Sequence, residues 1–123
     1  MDLILEYVTS VIKMDETDYA DKKSVRQHNR LADRIRAIAC EIDHMNSTIK
    51  MKFYELLSHE NESVRLWAAH HILETMNYDN MCRGKALKII SCIADKNDGI
   101  EGLGNKMWLK KWLQEHPLDR ELL

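Results

Sequence analysis

Apolar residues along this chain recur at steps of three and four, and no stretch alternates apolar with polar residues for long enough to read as a strand. That pattern predicts six helices. The first covers residues 2–14, with Ile4, Val8, Val11 and Ile12 as its stripe, Leu5 and Tyr7 widening it, and Asp2 as its cap. The polar stretch DETDYADKK follows as a loop or frayed helical turn, with Tyr19 and Ala20 as its candidate anchors. The second and longest helix covers 24–45, where Leu31, Ile35, Ile38, Ile42 and Met45 make one apolar face with Ala39 beside them. Asn46 is the candidate C-cap of that helix. Ser47 or Thr48 caps a third, running to 58 with Ile49, Phe53, Leu56 and Leu57 apolar.

The turn His59-Glu60-Asn61-Glu62 leads into a fourth helix at 63–76, with Asn61 or Glu62 near its N-cap. Val64, Leu66, Trp67, Ala68, Ala69, Ile72 and Leu73 cover most of its circumference. A helix apolar nearly all round is a buried one, so it is expected in the middle of the fold. A fifth helix is expected at 81–95, capped by Asp79, with Cys82, Ala86, Ile89, Ile90 and Ile93 inward. Residues 96–104, KNDGIEGLG, hold three glycines and are expected to be the loosest connection. A sixth helix follows at 105–115. Trp108, Leu109, Trp112 and Leu113 share one side of it, Lys106, Lys110 and Lys111 the other, and Pro117 ends it.

Composition agrees with long helices joined by short links. The chain has 123 residues, 4 Gly and 1 Pro, which leaves little material for hairpin turns and fits a single domain at 1–123. The net charge of −2 supplies no global basic field, so neither nucleic acid nor an anionic membrane surface is an expected partner. No apolar run approaches the roughly 20 residues of a membrane span. The first residues, MDLILEYV, lack a basic segment and are interrupted by Glu6, so they do not read as a signal peptide. Cys40, Cys82 and Cys92 are odd in number and match no zinc spacing. Reduced, buried thiols in a cytoplasmic protein are the expectation.

The third and fourth helices look like one helical-hairpin repeat, best delimited at 48–76. Its signature is LLSHENESVRLWAAHHIL: Leu56-Leu57, a polar turn, Val64-Arg65, Ala68-Ala69 and Leu73. This resembles a HEAT repeat. The resemblance implies that the small alanines let neighbouring helices approach, and that Arg65 bonds acidic or carbonyl groups of the turn. The first two and last two helices would add a layer on each side, giving an all-α, HEAT-like, right-handed stack of three antiparallel hairpins. The whole chain also resembles a small bacterial family of HEAT-like single domains, with Asn29 near the start of a long second helix, the Val64–Ala69 segment and an apolar last helix. Genes of that family often lie beside polymorphic toxins. The resemblance therefore implies an immunity protein of the toxin or contact-dependent growth inhibition kind, with a cognate toxin domain as its partner and no cofactor.

Candidate chemistry is sparse, and no catalytic motif is present. Adjacent helical residues point about 100° apart, so His70 and His71 cannot share one metal unaided; one reads as a rim residue and the other as a hydrogen-bonded core residue. Glu60 and Glu62 sit where a helix dipole favours acids, which explains them more simply than acid–base catalysis does. Arg26, Arg30 and Arg34 form a basic ridge on the second helix, which reads as a solvated face partly neutralised by Asp33 and Glu41. Gly99, Gly102 and Gly104 lack the strand and Gly-Lys-Ser/Thr ending of a phosphate loop.

The expected role is therefore non-enzymatic binding, with the partner held by charge complementarity. Candidate contacts are the acidic turns, with Asp15, Glu16, Asp18 and Asp21 in one and Glu60 and Glu62 in the other. Helix four adds the edge of Trp67 with His70, His71 and Glu74. A generic adaptor for a protein or peptide is the second reading. A DNA-binding role like that of helical-repeat glycosylases would call for a longer chain with a basic groove.

Overall fold

The computed structural model describes residues 2–96 and 99–123. Among these residues there are six α-helices, two 3-10 helices and no strand. The helices are α1 (Leu3–Met14), α2 (Lys22–Asp43), α3 (Ser47–Tyr54), α4 (Glu62–Glu74), α5 (Asn80–Lys96) and α6 (Ile100–Glu115); the 3-10 helices are Glu55–Ser58 and Pro117–Leu122.

Short acidic or amide side chains start five of the six α-helices by accepting a backbone N–H that has no partner within the helix. Asp2 accepts from Ile4 and Leu5, Asp21 from Lys23, Asn46 from Ile49, Asn61 from Val64 and Asp79 from Cys82, all at 3.0–3.1 Å. Asn46 is thus the start of α3 and not the C-cap of α2. Its extended backbone (φ −70°, ψ 165°) carries the chain out of one helix and into the next. The third helix tightens into its 3-10 turn after Tyr54 instead of staying α-helical to 58.

The expected glycine-rich loop is mostly helix. α5 runs to Lys96 and α6 begins at Ile100, with Gly99 as its cap residue. Each glycine in a helix costs about 1 kcal/mol relative to alanine. Packing outweighs that cost, because Gly102 and Asn105 are buried where α6 lies along α5. Asn97 and Asp98, also in that expected loop, lie outside the described residues.

One continuous apolar cluster joins the helices. α4 is at its centre, packed on α1, on α5 and on α3 with its 3-10 extension. Val64, Ala68, Ala69 and Ile72 have no exposed area, so α4 is covered on several sides at once. α2 lies on α1, and α6 lies on α5. Two apolar faces are turned from their expected positions. The buried line of α1 is Tyr7, Val11 and Met14, leaving Leu5 and Ile12 outward. On α5, Leu87 is buried and Ile89 only partly so. Met45 falls past the end of α2 and is exposed. Of the three thiols only Cys82 is buried, its pKa pushed up to about 11 by that burial; Cys40 and Cys92 are exposed.

Polar clamps tie the ends. Arg65 donates to the carbonyls of His59 (2.7 Å) and Glu60 (3.1 Å), closing the turn before α4. Arg34 on α2 makes a bidentate pair with Glu6 on α1, whose hydrogen bonds hold the Glu6 carboxyl below the usual range. Lys50 on α3 meets Asp43 at the end of α2 (3.0 Å) and donates to the Asn77 carbonyl after α4. Arg83 and the Trp112 indole N–H both donate to the buried carboxylate of Asp119, fastening the last 3-10 helix to α5 and α6.

Arg65→Met keeps the apolar stem but removes both bonds to the turn carbonyls. Urea unfolding should show a loss of about 2 kcal/mol, in the range for charge-assisted hydrogen bonds. A loss within error of zero would mean that the turn holds itself.

Candidate functional site

A groove of about 930 Å³ opens on one side of the molecule. Its floor is α4, through Leu66, Trp67, His70, His71 and Glu74. His28 and Arg36 of α2 form one wall, and Met14, Asp15, Tyr19, Ser63 and Ile100 close one end. α4 reaches this floor because it is the central helix, and one of its flanks stays uncovered between α2 and α6. A second hollow of about 820 Å³ lies between the start of α1 and α3, around Leu3, Ile4, Met45, Ile49 and Leu56. Its described lining contains no Trp, Tyr or Arg, so it lacks the side chains that anchor protein contacts.

The floor is rigid. The Tyr7 hydroxyl, with no exposed area, lies 2.6 Å from Nδ1 of His71. Burial raises the Tyr7 pKa well above its ordinary value, so the phenol keeps its proton. Among the described residues His71 is its one hydrogen-bond partner, and both groups are satisfied if the phenol donates. That leaves the imidazole proton on Nε2. Burial also lowers the His71 pKa to about 4, so the ring is neutral at pH 7. The Trp67 ring lies over it, with centroids 5.9 Å apart.

Beside this pair, α4 and α6 are joined through His70. Its Nε2 is 3.0 Å from Oδ1 of Asn105, and its Nδ1 is 3.5 Å from the Glu74 carboxylate. The Trp108 indole N–H donates to the same carboxylate. These hydrogen bonds, His70 first, lower the Glu74 pKa against the effect of burial. The Trp108 ring meets His70 edge-on at 4.4 Å and stacks on Trp112 at 5.0 Å.

Five of the expected contact residues therefore meet in one groove: Asp15, Trp67, His70, His71 and Glu74. They do not meet on equal terms. His71 is only 3% exposed and committed to Tyr7, so it supports the floor and offers a partner nothing. His70 and Glu74 are engaged with α6. Asp15 accepts from the Ser63 hydroxyl at 2.8 Å, which sets the two acidic turns side by side at one end of the molecule. The other acids lie outside the groove. Glu16 borders a small cleft with Lys13 and Gln27, Asp18 accepts from its own loop at Ala20, and Asp21 caps α2. Glu60 is exposed, and Glu62 pairs with Lys96 at 2.8 Å.

Three side chains outside the expected contact set complete the groove. Arg36 is 64% exposed with only a 3.9 Å approach to Asp33, so its charge remains open to an anionic group. Tyr19 is 73% exposed and faces the His28 ring at 5.8 Å, and His28 is held at 3.0 Å by Thr17. The regular ridge of Arg26, Arg30 and Arg34 draws attention away from Arg36, because only the position of α4 shows which flank of α2 borders a groove. Among the described residues no three His, Cys, Asp or Glu side chains converge as a metal site requires. The groove thus combines the rings of Trp67 and Tyr19 with an exposed guanidinium over a hydrogen-bonded floor, and aromatic and arginine side chains are the types that anchor protein–protein contacts.

No family model, curated protein or solved structure matches this chain.

The neutral His71 makes stability depend on pH. The unfolded chain takes up a proton near pH 6.5, whereas the folded one resists until about pH 4. Stability should therefore fall as the pH drops through that window, by about 2 kcal/mol between pH 7 and pH 5. Urea titrations at the two pH values check this. His71→Gln, less stable at pH 7, should lose most of the slope.

Proposed function

We propose that this chain is a non-catalytic binding protein that neutralises a cognate bacterial toxin domain in the cytoplasm, covering the toxin's active site. The observation that carries the binding role is the groove over α4. It brings the half-buried Trp67, the exposed guanidinium of Arg36 and the phenol of Tyr19 around a floor already braced by internal hydrogen bonds. A surface ordered before binding loses little conformational entropy on capture. The toxin as partner rests on the resemblance of the Val64–Ala69 segment and the long second helix to HEAT-like immunity proteins. Arg65 supports the HEAT-like reading in one respect: it closes the turn through carbonyl oxygens.

The acidic end formed by the 15–21 and 59–62 turns lies against the same groove through Asp15. A toxin with a basic active site would be drawn to that end, and the aromatic and apolar residues behind it would hold the complex after encounter.

Co-expression with the toxin domain encoded beside this gene tests the proposal. The pair should co-purify, and cells should survive the toxin. Tyr19→Ala and Arg36→Ala, both at exposed positions, should each weaken the complex by about 10-fold or more in calorimetry, with unchanged thermal unfolding of the free chain. If the two proteins do not associate and the toxin still kills, the proposal is wrong.

A further inference from the structure

The outward face of α6 carries an apolar stripe that its own fold leaves uncovered. Ile100 is 92% exposed, Leu103 58% and Met107 65%. At i, i+3 and i+7 they lie along one side of the helix. Gly104 lies on the same side, and a Cβ there would meet nothing within 4 Å. The opposite side of α6 is the packed one, through Gly102, Asn105, Trp108, Leu109 and Trp112. Scattered apolar residues are ordinary on a surface, but a row of three beside a glycine is a contact surface.

Charge gives the stripe a direction. At its Ile100 end stands Asp15, on the rim of the same groove. At its Met107 end stand the exposed amines of Lys110 and Lys111. From the groove rim along α6 the order is acidic at Asp15, apolar, then basic. A two-fold axis across the middle of such a row brings the acidic end of one copy onto the basic end of the other and the apolar centre onto itself.

We propose that the occupant of this face is a second copy of this chain, forming an antiparallel α6–α6 dimer centred on Leu103 and Gly104. Ile100 packs against Met107 of the other copy, and Gly104 lets the two backbones approach closely. The lysines near the end of each α6 reach the acidic end of its mate. Three apolar side chains are few beside the roughly 20 residues a side of a standard stable interface, so the dimer forms reversibly with concentration. The inference goes beyond toxin neutralisation, and although Asp15 and Ile100 also border the groove it is tested on the free chain without the toxin.

Sedimentation velocity of the purified chain from about 10 µM to about 1 mM tests the proposal, a span that covers a weak association. A concentration-dependent dimer is expected. Leu103→Glu, at an exposed position and counted twice in the dimer, should raise the dissociation constant at least about 10-fold while leaving the melting temperature of the monomer unchanged. Lys110→Glu with Lys111→Glu should also weaken the dimer, and added salt should weaken the wild-type dimer. In a Cys40→Ser, Cys92→Ser background, Leu103→Cys should form a disulfide-linked dimer under mild oxidation, and Leu118→Cys should not. A monomer throughout the range, or a dimer indifferent to Leu103→Glu, would overturn the assignment.

Discussion

Helix α4 has almost no polar side to turn toward water. Burying a helix that is apolar around most of its circumference requires neighbours on several flanks, and six short helices can supply them only by arranging themselves around it. α1, α5 and α3 with its 3-10 extension do so directly, while α2 and α6 cover those covers. Ala68 and Ala69, fully buried and small, let neighbouring backbones approach without leaving voids. The polar bonds of the structure are arranged around this constraint. Arg65 closes the turn that launches α4, and Tyr7 satisfies the one imidazole that α4 carries into the core.

The same constraint creates the groove. A buried helix with one flank left between α2 and α6 becomes a floor, and whatever polar groups it carries there must be satisfied before any partner arrives. His71 is satisfied from beneath by Tyr7 and His70 from the side by Asn105 and Glu74. What remains open is the rim, Arg36 and Tyr19, with the half-buried Trp67 of the floor beside them. A site of this kind is hydrogen-bonded at its base and exposed at its margin, and its polar base serves order more than chemistry.

α6 has the opposite character. It gives its aromatic side to the fold, through Trp108 against Glu74 and Trp112 against Asp119, and keeps Ile100, Leu103 and Met107 outside. The helix extends through Gly102 and Gly104 because its inner side is well packed, and that extension carries the apolar stripe up to the rim of the groove. The molecule thus presents two unlike surfaces in contact, one concave and polar at its margin, one convex and apolar with basic residues at its far end.

Much of this was legible in the residues alone. Periodicity located all six helices, and the central place of α4 followed from the apolar residues around it. The caps at Asp2, Asn61 and Asp79 could be read as well, since capping and periodicity act over four residues or fewer and are written locally. Contacts between distant segments decided the rest. Glycines at 99, 102 and 104 read as a loop until packing on α5 outweighs their entropy. His70 and His71 look alike in sequence, yet Tyr7, 64 positions before His71, makes one a core residue while α6 makes the other a bridge. Arg36 was invisible beside the regular arginine ridge. Sequence by itself determined which residues must be buried and where helices begin. The tertiary structure alone decided which face of each helix met which neighbour, because that choice depends on the sum of contacts with every other helix at once.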